Sequence, residues 1–232
     1  MIKDPPLLTI RRTVPRLDAA QLEAFADCIT GWLCDARSGR GAMDQAIKPL
    51  APEVAGMGRF VGTALTCWCG PNDNLAAMAA VALAAPGDVI VVATEGFTGS
   101  GMIGDLVTGM ARNKAVAAIV TDGMVRDRAG IVGVGLPVFC RGVTPNSCVR
   151  SGPGTVGLPV VVGGVRVESG DLVLGDADGV VVVPAAEVDA VAERVAAIRA
   201  AEQRVEAAIR EGAVTRPEMT ELLGSGRVEW LD

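Results

Sequence analysis

Apolar positions along this 232-residue chain follow two different periods. Residues 59–69, 88–94 and 115–121 are nearly continuous apolar runs of strand length, bounded by Gly, Pro and Asp. Helical patterns lie before and between them, at 19–36 and in the Ala-rich stretch 75–85. Strands that alternate with helices are typical of an α/β fold.

The pattern of apolar runs and turns in the sequence changes after Asp127. Short β-rich runs follow one another, separated by Gly-Gly, Ser-Gly-Asp and Asp-Ala-Asp-Gly turns, and this pattern predicts β-hairpins. The runs are 136–141, 158–162, 165–167, 172–174 and 179–183.

A long helix is predicted over 185–211, opened by Pro184 and ended by Gly212. Its apolar stripe has a strict spacing of three and four residues, at Val188, Val191, Val195, Ile198, Val205 and Ile209. The stripe position between Ile198 and Val205 holds Glu202 instead of an apolar residue. A carboxylate there indicates either an ion pair at an interface or a functional group.

The length of the chain suits one large domain or two small ones. No internal repeat and no low-complexity linker divides the sequence, and its last twenty residues mix Pro, Gly and charge. We therefore predict a single catalytic domain over 1–212 and a C-terminal arm over 213–232.

Charge and composition narrow the choice of partners. The formal net charge is −6, whereas nonspecific nucleic-acid binding needs clustered Lys and Arg. No apolar span approaches membrane length, and residues 1–6 hold Lys3, Asp4 and two prolines, unlike a signal peptide. Six cysteines are too sparse for a disulfide framework. We expect a cytoplasmic protein without nucleic-acid or membrane partners.

The absence of two residue types limits the possible chemistry. The chain has no His and no Tyr, and its only lysines are Lys3, Lys48 and Lys114. Acid–base chemistry must therefore use carboxylates, cysteine, an arginine clamp or metal-bound water. Cys67 and Cys69 share one face of a predicted strand, but without a second pair we interpret them as small packing residues.

The stretch 95–127 contains two turns rich in Gly and acid, each following an apolar strand, where open α/β sheets bind ligands. The first turn carries the pattern G-x-G-x-x-G at Gly99, Gly101 and Gly104, which resembles a dinucleotide fingerprint. We discount that function because the loop is long, the helix is short and hairpins follow. The glycines instead predict a backbone cradle for an anion such as a carboxylate, with a flexible turn as the alternative.

Three charged residues accompany these turns. Asp105 starts the predicted short helix, where an acid also stabilises the helix dipole. Arg126 and Asp127 follow the next strand and could by themselves form a surface ion pair. Their position beside an anion cradle favours a functional site.

This arrangement resembles the family of class II 4-hydroxy-4-methyl-2-oxoglutarate and 4-carboxy-4-hydroxy-2-oxoadipate aldolases. The hallmark of that family is an Asp, twenty intervening residues and Arg-Asp, matched by Asp105, residues 106–125, Arg126 and Asp127. Similar segments are GAMDQAIKPL, PNDN, PGDVIVV, LPVFCRG and SGDLVLGDADGVVVVP, so the resemblance covers about residues 35–212. It implies the α/β fold of the regulator of ribonuclease activity A, a layered β/β/α sandwich of the swivelling-domain type with a long C-terminal helix and arm.

The resemblance also implies a role for each matching residue. Asp127 would ligate a divalent metal, Mg²⁺ or Mn²⁺, and Asp105 would orient a water at that metal. Arg126 would bind the carboxylate and C2 oxygen of the pyruvyl half of the substrate. The same carboxylate would lie in the backbone cradle of Gly101, Ile103, Gly104 and Asp105.

A homotrimer or homohexamer is a further implication. Glu202 matches a family acid that approaches the metal site of a neighbouring subunit, as part of the outer metal shell. Some members carry another acid three residues after the Arg-Asp pair, where this chain has Gly130. The outer shell therefore differs from theirs.

The implied reaction is retro-aldol cleavage of a 4-hydroxy-2-oxo acid to pyruvate and a second 2-oxo acid, with oxaloacetate decarboxylation as a side activity. The alternative is a non-catalytic binding protein like the ribonuclease regulators, which typically lack the metal-binding Asp present here as Asp127. A Schiff-base aldolase would need Lys114, which ends a helix and is expected to face solvent.

Overall fold

The computed structural model describes residues 4–231, and residues 1–3 and 232 lie outside that part. The strands are β1 Leu8–Ile10, β2 Lys48–Pro49, β3 Phe60–Trp68, β4 Asp88–Ala93, β5 Gly101–Ile103, β6 Ala118–Thr121, β7 Met124–Val125, β8 Val138–Cys140, β9 Gly142–Val143, β10 Gly154–Val156, β11 Val160–Val162, β12 Val165–Val167, β13 Leu172–Asp176 and β14 Gly179–Val183. The helices are α1 Ala19–Glu23, α2 Thr30–Ala36, α3 Leu75–Leu83, α4 Asp105–Asn113, α5 Arg128–Val134, α6 Val188–Arg210 and α7 Pro217–Leu223.

The main sheet is built around four parallel strands. β3, β4, β6 and β8 lie side by side, and helices α3, α4 and α5 form the connections between them. β10 and β13 pair antiparallel to β3, and β2 pairs antiparallel to β8. The alternating strand and helix patterns of the sequence thus correspond to successive βαβ units.

Side-chain alternation along β4 explains why its sequence is apolar at every position. Ile90 and Val92 pack with the helices α3 and α4, whereas Val89 and Val91 pack on the opposite face with the two hairpins. A strand buried on both faces reads as a continuous apolar run. The hairpins themselves, β11 with β12 and β13 with β14, occur where the sequence predicts them. The prediction of a hairpin strand at 136–141 is wrong, because this run forms β8, which follows α5 and pairs parallel to β6.

A second helix layer covers the β13–β14 hairpin. Leu172 and Leu174 pack with α2 and α6, while Val173 of the same strand packs toward β4. The fold is therefore α/β, with two β layers between helix layers and a long C-terminal helix, as predicted. The division into a 1–212 domain and a 213–232 arm stays a prediction.

Only the first half of α6 is used by the core. Val188, Val191 and Val195 are buried, whereas Ile209 near the end of the same stripe is 59% exposed.

Within residues 4–231, no helix has the length and apolar character that crossing a bilayer requires.

The prediction of one helix over 19–36 is wrong, because α1 ends at Glu23 and α2 begins at Thr30. The Asp176 carboxylate accepts hydrogen bonds from the amide and hydroxyl of Thr30, both at 2.8 Å. The guanidinium of Arg59 donates to the carbonyl of Cys28 at 2.7 Å. Partners distant in sequence thus satisfy polar groups between α1 and α2, in place of the hydrogen bonds of a continuous helix.

The buried Asp122 ties the ends of β4 and β6 together. Its carboxylate accepts from the amide and hydroxyl of Thr94, at 2.7 and 2.9 Å, and from the amide of Gly96 at 3.0 Å. These bonds fix the start of the loop that leads to β5.

Replacing Asp122 by Ala should lower the free energy of unfolding, because each buried amide left without an acceptor costs roughly 1–3 kcal/mol. Asp122→Asn should cost less, since its carbonyl oxygen still accepts from Thr94. Urea unfolding followed by circular dichroism measures both changes. Equal stability of Asp122→Ala and the unaltered protein would contradict this role.

Candidate functional site

A three-stranded sheet at the carboxyl ends of β4 and β6 brings the two predicted turns together. β5 runs parallel to β7, with Gly101 opposite Met124 and Ile103 opposite Val125, and β9 continues the sheet. The amide of Arg126 donates to the carbonyl of Ile103 at 2.9 Å. The sequence does not predict β5, which forms within the glycine-rich loop.

Two glycines permit the close approach of the turns. A Cβ at Gly101 would lie 2.9 Å from the Cβ of Arg126, and a Cβ at Gly104 would lie 2.7 Å from Oδ2 of Asp127. Gly104 is also the N-cap of α4, whose first amides have no acceptor inside the helix. The amides at the start of this helix therefore stand next to the Arg-Asp pair.

Arg126 and Asp127 form an ion pair at the edge of the cavity. Nε of Arg126 lies 3.2 Å from Oδ2 of Asp127, and their side chains are 34% and 43% exposed. Arg126 also donates from Nη1 to the hydroxyl of Ser147. Asp127 has φ +59°, a left-handed conformation that is uncommon outside glycine and concentrates at functional sites.

The structure gathers most of the predicted site residues around one cavity. Its walls include Gly101, Gly104, Asp105, Arg126 and Asp127. Ile103 is buried beneath this wall, where its carbonyl accepts from Arg126.

Sequence reasoning missed the segment 144–152, which contributes Ser147, Cys148 and Arg150 to the same cavity. The amide of Gly101 donates to the carbonyl of Asn146 at 2.9 Å, so this segment runs beside β5. Burial raises the pKa of the Cys148 thiol, while the nearby Arg126 and Arg150 act in the opposite direction. No local sequence signal reveals these contacts, because they arise from long-range main-chain pairing.

Asn74 is a second residue that the sequence did not reveal. Its neighbour Asp73 accepts a hydrogen bond from the amide of Leu75, the first residue of α3, at 2.8 Å. Asn74 instead donates from Nδ2 to the carbonyl of Met102 at 2.9 Å and lines the cavity. Its buried Oδ1 accepts no hydrogen bond within residues 4–231. Such orphan acceptors are rare and indicate a missing donor from a ligand or water.

Gly130 makes room for Asp105. A Cβ at Gly130 would lie 2.6 Å from both Cβ and Oδ2 of Asp105. Oδ1 of Asp105 accepts from the amide of Leu106 at 2.7 Å, so the carboxylate is already oriented. The acid that some family members carry at this position would not fit beside Asp105 in this packing.

The carboxylates in the cavity are those of Asp127, the candidate metal ligand, and Asp105, the candidate group for orienting a water at the metal. The described part of the chain contains no group of three or more His, Cys, Asp or Glu that could hold a metal. Structural zinc needs such a group, whereas Mg²⁺ takes one or two carboxylates and keeps several waters. This pair therefore fits a hard divalent cation that shares its shell with water and substrate.

Two other candidates lie outside the cavity. Oε2 of Glu202 accepts from the indole of Trp32 in the same chain at 2.5 Å, so its approach to a neighbouring subunit's metal stays a prediction. Lys114 is exposed at the C-terminal end of the nine-residue α4, whereas Asp105 is at its N-terminal end. The helix separates the lysine from the cavity by roughly 13 Å.

Gly130→Ala should displace Asp105 and lower both stability and any activity of the site, because its Cβ would overlap the Asp105 side chain. Gly133→Ala is the matched control in the same helix, where a Cβ meets no atom within 4 Å. The control should be neutral or stabilised by about 0.5–1 kcal/mol. Thermal unfolding compares the two variants, and equal behaviour would contradict the packing argument.

Comparisons with known proteins identify the family of the chain. A family model described as RraA-like, Aldolase/RraA, matches residues 30–182. The chain is 35% identical over 190 residues to the "Putative 4-hydroxy-4-methyl-2-oxoglutarate aldolase" of Halalkalibacterium halodurans, covering 82% of this chain and 89% of that protein.

Two solved structures share the fold. An uncharacterized protein from Pseudomonas syringae pv. tomato aligns with a TM-score of 0.75 and 26% identity, over 88% of this chain and 94% of that one. RraAS2 of Streptomyces coelicolor, described as an unusual member of the RNase ES inhibitor RraA family, aligns with a TM-score of 0.72 and 26% identity, over 84% of this chain and 100% of that one. The chain belongs to the RraA-like Aldolase/RraA family.

Proposed function

We propose that this protein is a divalent-metal-dependent aldolase. Its substrate would be a 4-hydroxy-2-oxo acid of the 4-hydroxy-4-methyl-2-oxoglutarate or 4-carboxy-4-hydroxy-2-oxoadipate type, cleaved to pyruvate and a second 2-oxo acid. The observation that carries the proposal is the shared cavity, in which Arg126 and Asp127 stand against the backbone at Gly104. The aldolase named among its relatives supports the substrate class.

Substrate binding would use the positive groups of the cavity. The guanidinium of Arg126 would donate to the C1 carboxylate and the C2 oxygen of the pyruvyl half. The backbone amides of Ile103, Gly104 and Asp105 would hold the same carboxylate at the start of α4, where helix amides favour an anion. Gly101 would contribute by allowing close approach, since its own amide donates to the carbonyl of Asn146. Donors fixed in this way need no rearrangement as charge develops.

Cleavage would begin with loss of the proton from the C4 hydroxyl. The C3–C4 bond then breaks, C4 becomes the carbonyl carbon of the second 2-oxo acid, and the electron pair forms the enolate of pyruvate. A proton delivered to C3 completes pyruvate, so the reaction is balanced. Asp105 would orient the water that takes the first proton, and Arg126 would stabilise the enolate oxygen.

Asp127 would hold Mg²⁺ or Mn²⁺ directly, with Asp105 close by. The bound cation would supply Lewis-acid chemistry, withdrawing charge from the 2-oxo group. Loss of carbon dioxide from oxaloacetate gives the same enolate, so oxaloacetate decarboxylation is an expected side activity.

Self-association would complete the site. Glu202 from a neighbouring subunit would join the outer metal shell in a homotrimer or homohexamer. The exposed second half of α6, with Ile209 59% exposed, supports an interface along this helix. Because Glu202 is bonded to Trp32 within its own chain, assembly would have to replace or share that bond.

The alternative function is ribonuclease regulation without catalysis, supported by the likeness to the Streptomyces coelicolor protein. The presence of Asp127 beside Arg126 in the cavity favours the aldolase. Regulators of this fold typically lack that Asp, so the two functions differ in their dependence on it.

The unaltered protein with Mg²⁺ or Mn²⁺ should release pyruvate from 4-hydroxy-4-methyl-2-oxoglutarate, measured by coupling to lactate dehydrogenase. EDTA should abolish the release, and Asp127→Ala or Arg126→Ala should lower kcat/KM by at least about 100-fold. Asp35→Ala, which removes an exposed acid on α2, is the control and should retain full activity. Activity indifferent to EDTA and unchanged in Asp127→Ala would overturn the proposal.

A further inference from the structure

We infer that Arg150 is the specificity-determining residue for the C4 end of the substrate, where it pairs with a carboxylate carried on C4. This inference rests on the proposed function. It predicts that the protein prefers 4-hydroxy-2-oxo acids with a carboxylate on C4 over those with only an alkyl group there.

Arg150 is a free cation in the same cavity as Arg126. Its side chain lines the cavity and forms no ion pair within residues 4–231. Arg126, in contrast, is engaged by Asp127 and Ser147. An unpaired guanidinium beside a second anion-binding group can take a carboxylate in a bidentate fashion.

The backbone next to Arg150 is held by the residues that follow it. The amides of Ser151 and Gly152 donate to Oδ2 of the buried Asp73, the latter at 2.9 Å. Arg150, Arg126 and Cys148 line the same cavity. The second carboxylate of a short diacid could therefore reach Arg150 while the first is held by Arg126.

The charge balance of the cavity points to a dianion. Two arginines and two aspartates line its walls, and their formal charges cancel. A divalent cation bound at Asp127 would therefore give the cavity a formal charge of two positive units. A substrate with two carboxylates neutralises them, whereas one with a single carboxylate leaves an excess positive charge.

Asn74 supports the placement of the C4 end. Its Oδ1 is an acceptor without a donor, and a carboxylate, which only accepts, is disfavoured beside it. The bond from Nδ2 to the Met102 carbonyl fixes which atom of the amide is the acceptor. The C4 carboxylate is therefore expected at the free guanidinium of Arg150 and not at Asn74.

The test compares kcat/KM for two substrates that differ at C4, 4-hydroxy-4-methyl-2-oxoglutarate and 4-hydroxy-2-oxopentanoate, with Mg²⁺ present. Arg150→Gln should lower the value for the first by about 10- to 100-fold and leave the second within about twofold. Arg150→Lys should be intermediate, because it keeps the charge and loses the planar fork. Arg166→Gln, at an exposed position of the β11–β12 hairpin outside the cavity, is the control for removal of an arginine and should change neither value.

Calorimetric titration gives an independent readout of binding. With Mg²⁺ present, Arg150→Gln should weaken the binding of 2-oxoglutarate about 10-fold or more and leave that of pyruvate unchanged.

Equal losses for both substrates, or no loss for either, would overturn the role of Arg150 and leave the aldolase proposal standing. If the unaltered protein releases pyruvate from neither substrate, the proposed function fails, and this inference fails with it.

Discussion

The candidate site depends on the main-chain pairing between β5 and β7. This short parallel contact, closed by the hydrogen bond from the Arg126 amide to the Ile103 carbonyl, places the glycine-rich turn against the Arg-Asp pair. The contact requires glycine at positions 101 and 104, because a Cβ at either would collide with Arg126 or Asp127. An anion cradle and two charged side chains thereby share one cavity.

The main sheet explains why the two acids of the site are separated by a fixed length of chain. From Asp105 the chain forms α4, returns through β6 and reaches β7 just before Arg126. The twenty intervening residues thus comprise the rest of α4, the strand β6 and the two residues of β7. Because β4 and β6 are parallel neighbours, both turns leave the same edge of the sheet, where Asp122 joins them.

Much of the scaffold and half of the site could be predicted from the sequence. Strands buried on both faces, such as β4, read as continuous apolar runs, and the hairpins follow from their turns. The spacing of Asp105 and Arg126 identified the family. The sequence could not predict the break before Thr30 or the strand β5. Nor could it predict that Asn74 and Arg150 line the cavity. Each depends on partners distant in sequence, such as Asp176 for Thr30 and Met102 for Asn74.

The central claim is that the cradle and the Arg-Asp pair form one metal-dependent site for the pyruvyl group. The most direct measurement is exchange of the methyl hydrogens of pyruvate with deuterium oxide, followed by proton nuclear magnetic resonance, since it requires only enolate formation at this site. We expect exchange with Mg²⁺ or Mn²⁺ that stops on addition of EDTA. Absence of exchange with either metal, or exchange indifferent to EDTA, would contradict the account.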